Sequence, residues 1–220
     1  MKKWLLIVFL GWSMPGEAQG VLHPFQKEID AFVLQDSLHP PVGQPILCIG
    51  SSSFTKWKDI EAYFPGMGML NRGFGGSSLQ DVIYYAPQVI LPYQPRQILI
   101  YCGENDIAAT PQPTTKTVVK RCKQLLRLIR SKWKDVPIIY ISIKPSPLRW
   151  KLESSFVEAN KGIQRYMEKQ KNMQLLDVHS AMLTATGEPR PELYIADRLH
   201  MNEKGYEIWK NLLCPLVLPQ

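Results

Sequence analysis

Asp197 and His200 stand three residues apart, a separation that lets one loop hold a carboxylate against an imidazole. A histidine oriented in this way is the usual base for a hydroxyl nucleophile, which is weak until a neighbour takes its proton. Of the four histidines, His23 and His39 lie in an N-terminal lead-in, and His179 has no acidic neighbour beyond Asp177. Hydroxyls are offered by Ser51, Ser52 and Ser53, directly after a short apolar run. Acyl transfer also needs donors for a developing oxyanion. Backbone N–H groups at Ser52 and Gly76, with the side-chain amide of Asn105, would supply three.

Each piece also has an ordinary explanation. Serines before a helix commonly cap it. The stretch Gly73-Phe74-Gly75-Gly76 could form a tight turn or an anion nest, and it lacks the third glycine of a dinucleotide fingerprint. Asn105 and Asp106 could be turn residues, and Asp197 a loop cap. The order of the four segments is harder to explain away, because of the elements that carry them.

Apolar runs at Ile46–Ile49, Met69–Phe74, Gln97–Cys102, Pro137–Ile143 and Met173–Val178 read as five strands. Helical patterns lie between and after them, near 55–63, 77–92, 114–134, 151–170 and 202–213, with a partly helical, proline-containing lead-in over 21–44. Alternation of this kind predicts an α/β fold, a parallel sheet covered on both faces. Ligands of such sheets bind at the carboxyl ends of the strands. Ser51–Ser53, Gly73–Ser77 and Gly103-Glu104-Asn105-Asp106 follow the first three strands. Asp197 to His200 falls in a loop that can fold back over the same edge.

These four segments resemble the motif blocks of the SGNH (GDSL-like) hydrolases, named for Ser, Gly, Asn and His. The resemblance runs from about Ile46 to Asn202 in the family's order, and the Gly103–Asp106 and Asp197–His200 blocks are specific as a pair. The first block usually reads Gly-Asp-Ser, whereas this chain has Gly50-Ser51-Ser52. The resemblance implies a three-layer α/β/α sandwich on a five-stranded parallel sheet, of flavodoxin-like type. It also implies Ser52 as nucleophile, Asp197 and His200 as the other triad members, Ser52, Gly76 and Asn105 as the oxyanion hole, and no metal or organic cofactor. The expected activity is that of a serine esterase acting on short-acyl esters, including acetyl esters of carbohydrates. Trp150, Tyr194 and Phe74 are candidates to stack on a sugar. A non-catalytic glycan- or anion-binding module on the same fold is the alternative. The absence of Gly-x-Ser-x-Gly and the tight Asp-to-His spacing argue against the α/β-hydrolase fold.

The chain's 220 residues make one domain, 45% hydrophobic and 20% charged, with a formal net charge of +7. Lys2, Lys3, the apolar run from Trp4 to Trp12 and the small residues at Ala18 and Gly20 read as a secretory signal peptide over 1–20. The expected mature protein, 21–220, is secreted or periplasmic, with no stable membrane insertion. Lys116, Lys120, Lys123, Arg127, Arg130 and Lys134 form one face of a helix, opposite Val118, Cys122, Leu125, Leu126 and Ile129. That face reads as the solvated side of an amphipathic helix, not a nucleic-acid surface. Cys48, Cys102 and Cys122 sit in apolar runs and read as core thiols, with no metal-knuckle or redox spacing.

Overall fold

The computed structural model describes residues 23–219, so the expected signal peptide lies outside the described residues. Five strands form one parallel sheet in the order β2-β1-β3-β4-β5. They are β1 (Ile46–Gly50), β2 (Met69–Gly73), β3 (Gln97–Tyr101), β4 (Ile138–Ile141) and β5 (Met173–Leu176). The central strands are buried along their whole length, which is why they read as continuous apolar runs.

Alternate residues feed two cores. Leu47, Ile49, Ile98, Ile100, Ile138 and Tyr140 face one side of the sheet. There they pack on α1 (Gln26–Leu38), α4 (Leu79–Tyr84), α5 (Ala86–Val89), α7 (Thr115–Lys132) and α8 (Glu153–Met167). Ile46, Cys48, Leu99, Tyr101, Ile139 and Ile141 face the other. They meet α2 (Ser52–Thr55), α3 (Ile60–Tyr63) and α9 (Glu203–Leu213). The α/β/α sandwich is therefore as expected.

Some boundaries differ. The pattern near 55–63 becomes two short helices, because Trp57 leaves the helix to stack on Tyr206 at 4.8 Å. The pattern near 77–92 divides at Tyr85. Pro87, in the first turn of α5, has no N–H to continue the preceding helix. Asn105 and Asp106, for which a turn was the alternative, lie in α6 (Glu104–Ala108). Asp106 is buried, accepting from Leu79 N at 2.8 Å and Arg121 Nη1 at 2.9 Å, so it ties α6 to α4 and α7.

The apolar stripe of α7 is buried as expected, and Cys48, Cys102 and Cys122 are free and buried. Burial pushes the Cys122 thiol up to about 12, so it is inert as a nucleophile near neutral pH. Arg130 departs from the solvated reading. Its guanidinium donates to the carbonyls of Val136 at 2.6 Å and of Lys171 and Asn172 at 3.0 Å, joining the segments that lead into β4 and β5. Among the described residues no helix is long and apolar enough to cross a membrane, and no group of His, Cys, Asp and Glu could hold a metal ion.

Candidate active site

With β1 at the point where strand order reverses, the crevice opens beyond the carboxyl ends of β1 and β3. Gly50 ends β1 at φ +128°, and a Cβ there would stand 2.0 Å from the carbonyl oxygen of Tyr101. Only glycine permits both that dihedral and that approach. The chain then turns directly into α2, whose first residue is Ser52.

The three serines separate cleanly. Ser51 is 2% exposed and makes no capping hydrogen bond. Its Oγ accepts from Asn105 Nδ2 at 2.7 Å. Ser53 is buried at 3% exposure, and its carbonyl accepts from the Tyr206 hydroxyl at 2.9 Å. Ser52 is partly exposed, with Oγ 3.1 Å from Nε2 of His200.

His200 is held from behind by Asp197. The carboxylate Oδ2 lies 2.5 Å from His200 Nδ1, and Oδ1 accepts from the N–H groups of Leu199 and His200, each at 2.9 Å. Arg198 adopts φ +58° to close this turn. Burial pushes the Asp197 carboxyl up, but the His200 side chain and the two backbone donors outweigh it and bring it down to about 2. An ionised carboxylate can only accept, so Nδ1 carries the hydrogen. In the neutral imidazole Nε2 is then an acceptor facing the Ser52 hydroxyl.

Asn105 sits in α6, directly beyond β3. Its Nδ2 donates to Ser51 Oγ and, at 3.0 Å, to Ser77 O. Its Oδ1 accepts from Arg149 Nη1 at 3.0 Å. Gly76 is exposed at φ +87°. Its neighbour Ser77 is buried and donates through Oγ to Gly50 O at 3.1 Å. The three segments after β1, β2 and β3 are thus tied together at one edge, as the spacing predicts.

Two of the three proposed sugar-stacking aromatics are not available. Phe74 is fully buried against Phe25 and Tyr85. Tyr194 is 7% exposed, with its hydroxyl bound to Pro145 O at 2.6 Å. Trp150 is partly exposed.

Lys144, Arg149 and the role of Glu104 escape the sequence reading, although a lysine ending an apolar strand run was a visible signal. Lys144 is 1% exposed and donates to Leu199 O at 2.8 Å.

A serine, a histidine and a carboxylate thus stand in hydrogen-bond sequence at the switch point of a parallel α/β/α sandwich. The chain matches the GDSL-like Lipase/Acylhydrolase family over residues 48–208, and it belongs to that family.

Solved structures agree on the fold. A GDSL-like lipase from Bacteroides thetaiotaomicron superposes with a TM-score of 0.74 at 15% identity, covering 86% of this chain and 96% of that one. A lipase/acylhydrolase from Enterococcus faecalis gives 0.64 at 20% identity, covering 81% and 99%. An acetyl-xylooligosaccharide esterase from Geobacillus stearmophilus gives 0.64 at 15% identity, covering 81% and 95%. No curated protein sequence matches the chain.

Proposed function

We propose that the protein hydrolyses carboxylic esters through an acyl-enzyme formed on Ser52. The observation that carries this reading is the continuous line Ser52 Oγ–His200 Nε2, 3.1 Å, and His200 Nδ1–Asp197 Oδ2, 2.5 Å. In the first half-reaction His200 takes the Ser52 proton as Oγ attacks the ester carbonyl. The imidazolium then gives that proton to the leaving alkoxide. In the second, water attacks the acyl carbonyl, passes its proton to His200, and the acid leaves as Ser52 Oγ is reprotonated. Asp197 fixes the tautomer and stabilises the imidazolium. The N–H groups of Ser52 and Gly76 receive the oxyanion, joined by the amide of Asn105 when one of its two hydrogens turns from Ser51 Oγ or Ser77 O. A binding module would have no use for an imidazole held between a carboxylate and a hydroxyl.

For substrate, the proposal is a short acyl group, acetyl foremost, on a carbohydrate alcohol. Leu148 and Ile195, at 56% and 43% exposure, flank the loop that bears His200. They offer a small apolar rim, and Trp150, partly exposed and close to Leu148 in sequence, is the aromatic left to meet a sugar ring. The acetyl-xylooligosaccharide esterase of the same fold supports this choice. Export is part of the proposal, because residues 1–20 have the composition of a signal peptide.

The test is hydrolysis of p-nitrophenyl esters of two to twelve carbons beside acetate release from acetylated xylo-oligosaccharides. The expected result is a rate highest for acetyl and lost in Ser52→Ala, with acetate released from the saccharide. Preference for the long chains, or no esterolysis at all, would contradict it.

A further inference from the structure

A group of buried charges lies between α6, which carries Asn105, and the loop that carries His200. Glu104 is 5% exposed and Lys144 1%. Lys144 Nζ donates to Glu104 Oε2 at 3.2 Å, Arg149 Nη1 lies 3.1 Å from Glu104 Oε1, and the Tyr101 hydroxyl donates to Glu104 Oε2 at 2.5 Å. Burial pushes the Glu104 carboxyl up, but Lys144 and Arg149 outweigh it and hold it below the ordinary range. Burial draws the Lys144 ammonium down, against the pull of Glu104.

Stability alone is a poor reason for this arrangement. A buried ion pair generally stabilises a fold no better than apolar groups of the same shape. Each cation, however, makes a second bond, and both of those bonds reach the site. Lys144 holds the carbonyl of Leu199. The same peptide plane carries the N–H of His200, which donates to Asp197 Oδ1. A peptide unit is rigid, so holding it by both its oxygen and its nitrogen fixes where the His200 side chain departs. Arg149 holds Oδ1 of Asn105. That contact forces the amide to aim Nδ2 at Ser51 and Ser77, the side on which Ser52 lies.

We propose that Lys144 and Arg149, gathered by Glu104, are positioning residues, Lys144 for His200 and Arg149 for Asn105. One carboxylate thereby links the acid–base half of the site to its oxyanion half. This inference rests on the reading of Ser52 as nucleophile and His200 as base.

The experiment measures p-nitrophenyl acetate kinetics, fluorophosphonate labelling of Ser52 and melting temperature in five variants. They are Lys144→Met, Lys144→Met/Glu104→Gln, Arg149→Met, Asn105→Ala and Arg149→Met/Asn105→Ala. Lys144→Met is expected to lower kcat about 10- to 100-fold with little change in KM, as small displacements of catalytic groups do. Lys144→Met leaves Glu104 with Arg149 as its counter-ion, and the double variant leaves the partly exposed Arg149 on Asn105, so both should fold while kcat stays low. Arg149→Met should cost little once Asn105 is already alanine, because coupled residues are non-additive.

A folded double variant with wild-type kcat and labelling rate would overturn the role of Lys144. So would loss of the fold in both Lys144 variants, which would make the cluster structural. Additive effects of Arg149→Met and Asn105→Ala would overturn the role of Arg149. Failure of wild-type Ser52 to label would instead strike the nucleophile assignment.

Discussion

Nε2 of His200 lies 3.1 Å from Oγ of Ser52, across 148 positions of chain. The contact exists because Gly50 lets β1 turn abruptly into α2, while the turn at Asp197–His200 returns the chain over the same sheet edge. Its chemistry depends on what stands behind the imidazole.

Asp197→Asn tests that support. An asparagine amide would offer a donor where Nδ1–H needs an acceptor and would favour the other tautomer. The expected loss in kcat is about 10³- to 10⁴-fold, with the fold retained. Steady-state kinetics of the variant beside its melting curve check this, and a folded variant with kcat near wild type would count against an imidazole held by Asp197.

Acid stability gives an independent check on the same carboxylate. Asp197 is held down to about 2 from an ordinary 3.8. A depressed carboxyl stabilises the folded state above its unfolded pKa, and that contribution disappears as pH falls through the folded one. Wild-type melting temperature should therefore fall more steeply than that of Asp197→Asn between about pH 4 and pH 2. Parallel curves would show that the contacts to Leu199 and His200 do not persist in solution.

Asn105→Ala removes the amide that bridges the segments after β1, β2 and β3. The expected cost is about 10²- to 10³-fold in kcat, the magnitude of one lost oxyanion donor, with KM little changed. Ser51→Ala, which leaves the amide in place but takes one of its acceptors, should cost no more than about tenfold, roughly the energy of one hydrogen bond. An Asn105→Ala effect confined to KM would make the residue a substrate binder.

Gly50→Ala should damage the fold itself. The new Cβ would overlap the Tyr101 carbonyl at 2.0 Å, on the neighbouring central strand, and no flexible side chain can yield there. At an expected cost of several kcal/mol, the melting temperature should drop by about 10 °C or more, if folded protein is obtained at all. A melting temperature near wild type would mean that β1 and β3 are not held as closely as described.

The strands were legible because burial on both faces leaves an almost unbroken apolar signature, as in Ile46–Ile49 and Gln97–Cys102. Ser52 and Asn105 were legible because they directly follow strands, and Asp197 and His200 because three residues separate a carboxylate from an imidazole in a loop. The charged cluster was not. Glu104 lies 40 residues or more from Lys144 and Arg149, and although Lys144 ends an apolar strand run, nothing local names the carboxylate it meets. Phe74 and Tyr194 misled for a similar reason, since closeness to a site loop in sequence does not say which way an aromatic ring points. The break at Trp57 depended on a partner, Tyr206, from the far end of the chain.

The central claim is that Ser52, and neither of its neighbours, is an activated nucleophile. Reaction of the purified protein with a fluorophosphonate probe, followed by mass mapping of the modified peptide, tests it without knowledge of the natural substrate. Stoichiometric labelling at Ser52 is expected, lost in His200→Ala and in Ser52→Ala but kept in Ser53→Ala. Labelling at Ser51 or Ser53, or none in the wild type, would contradict it.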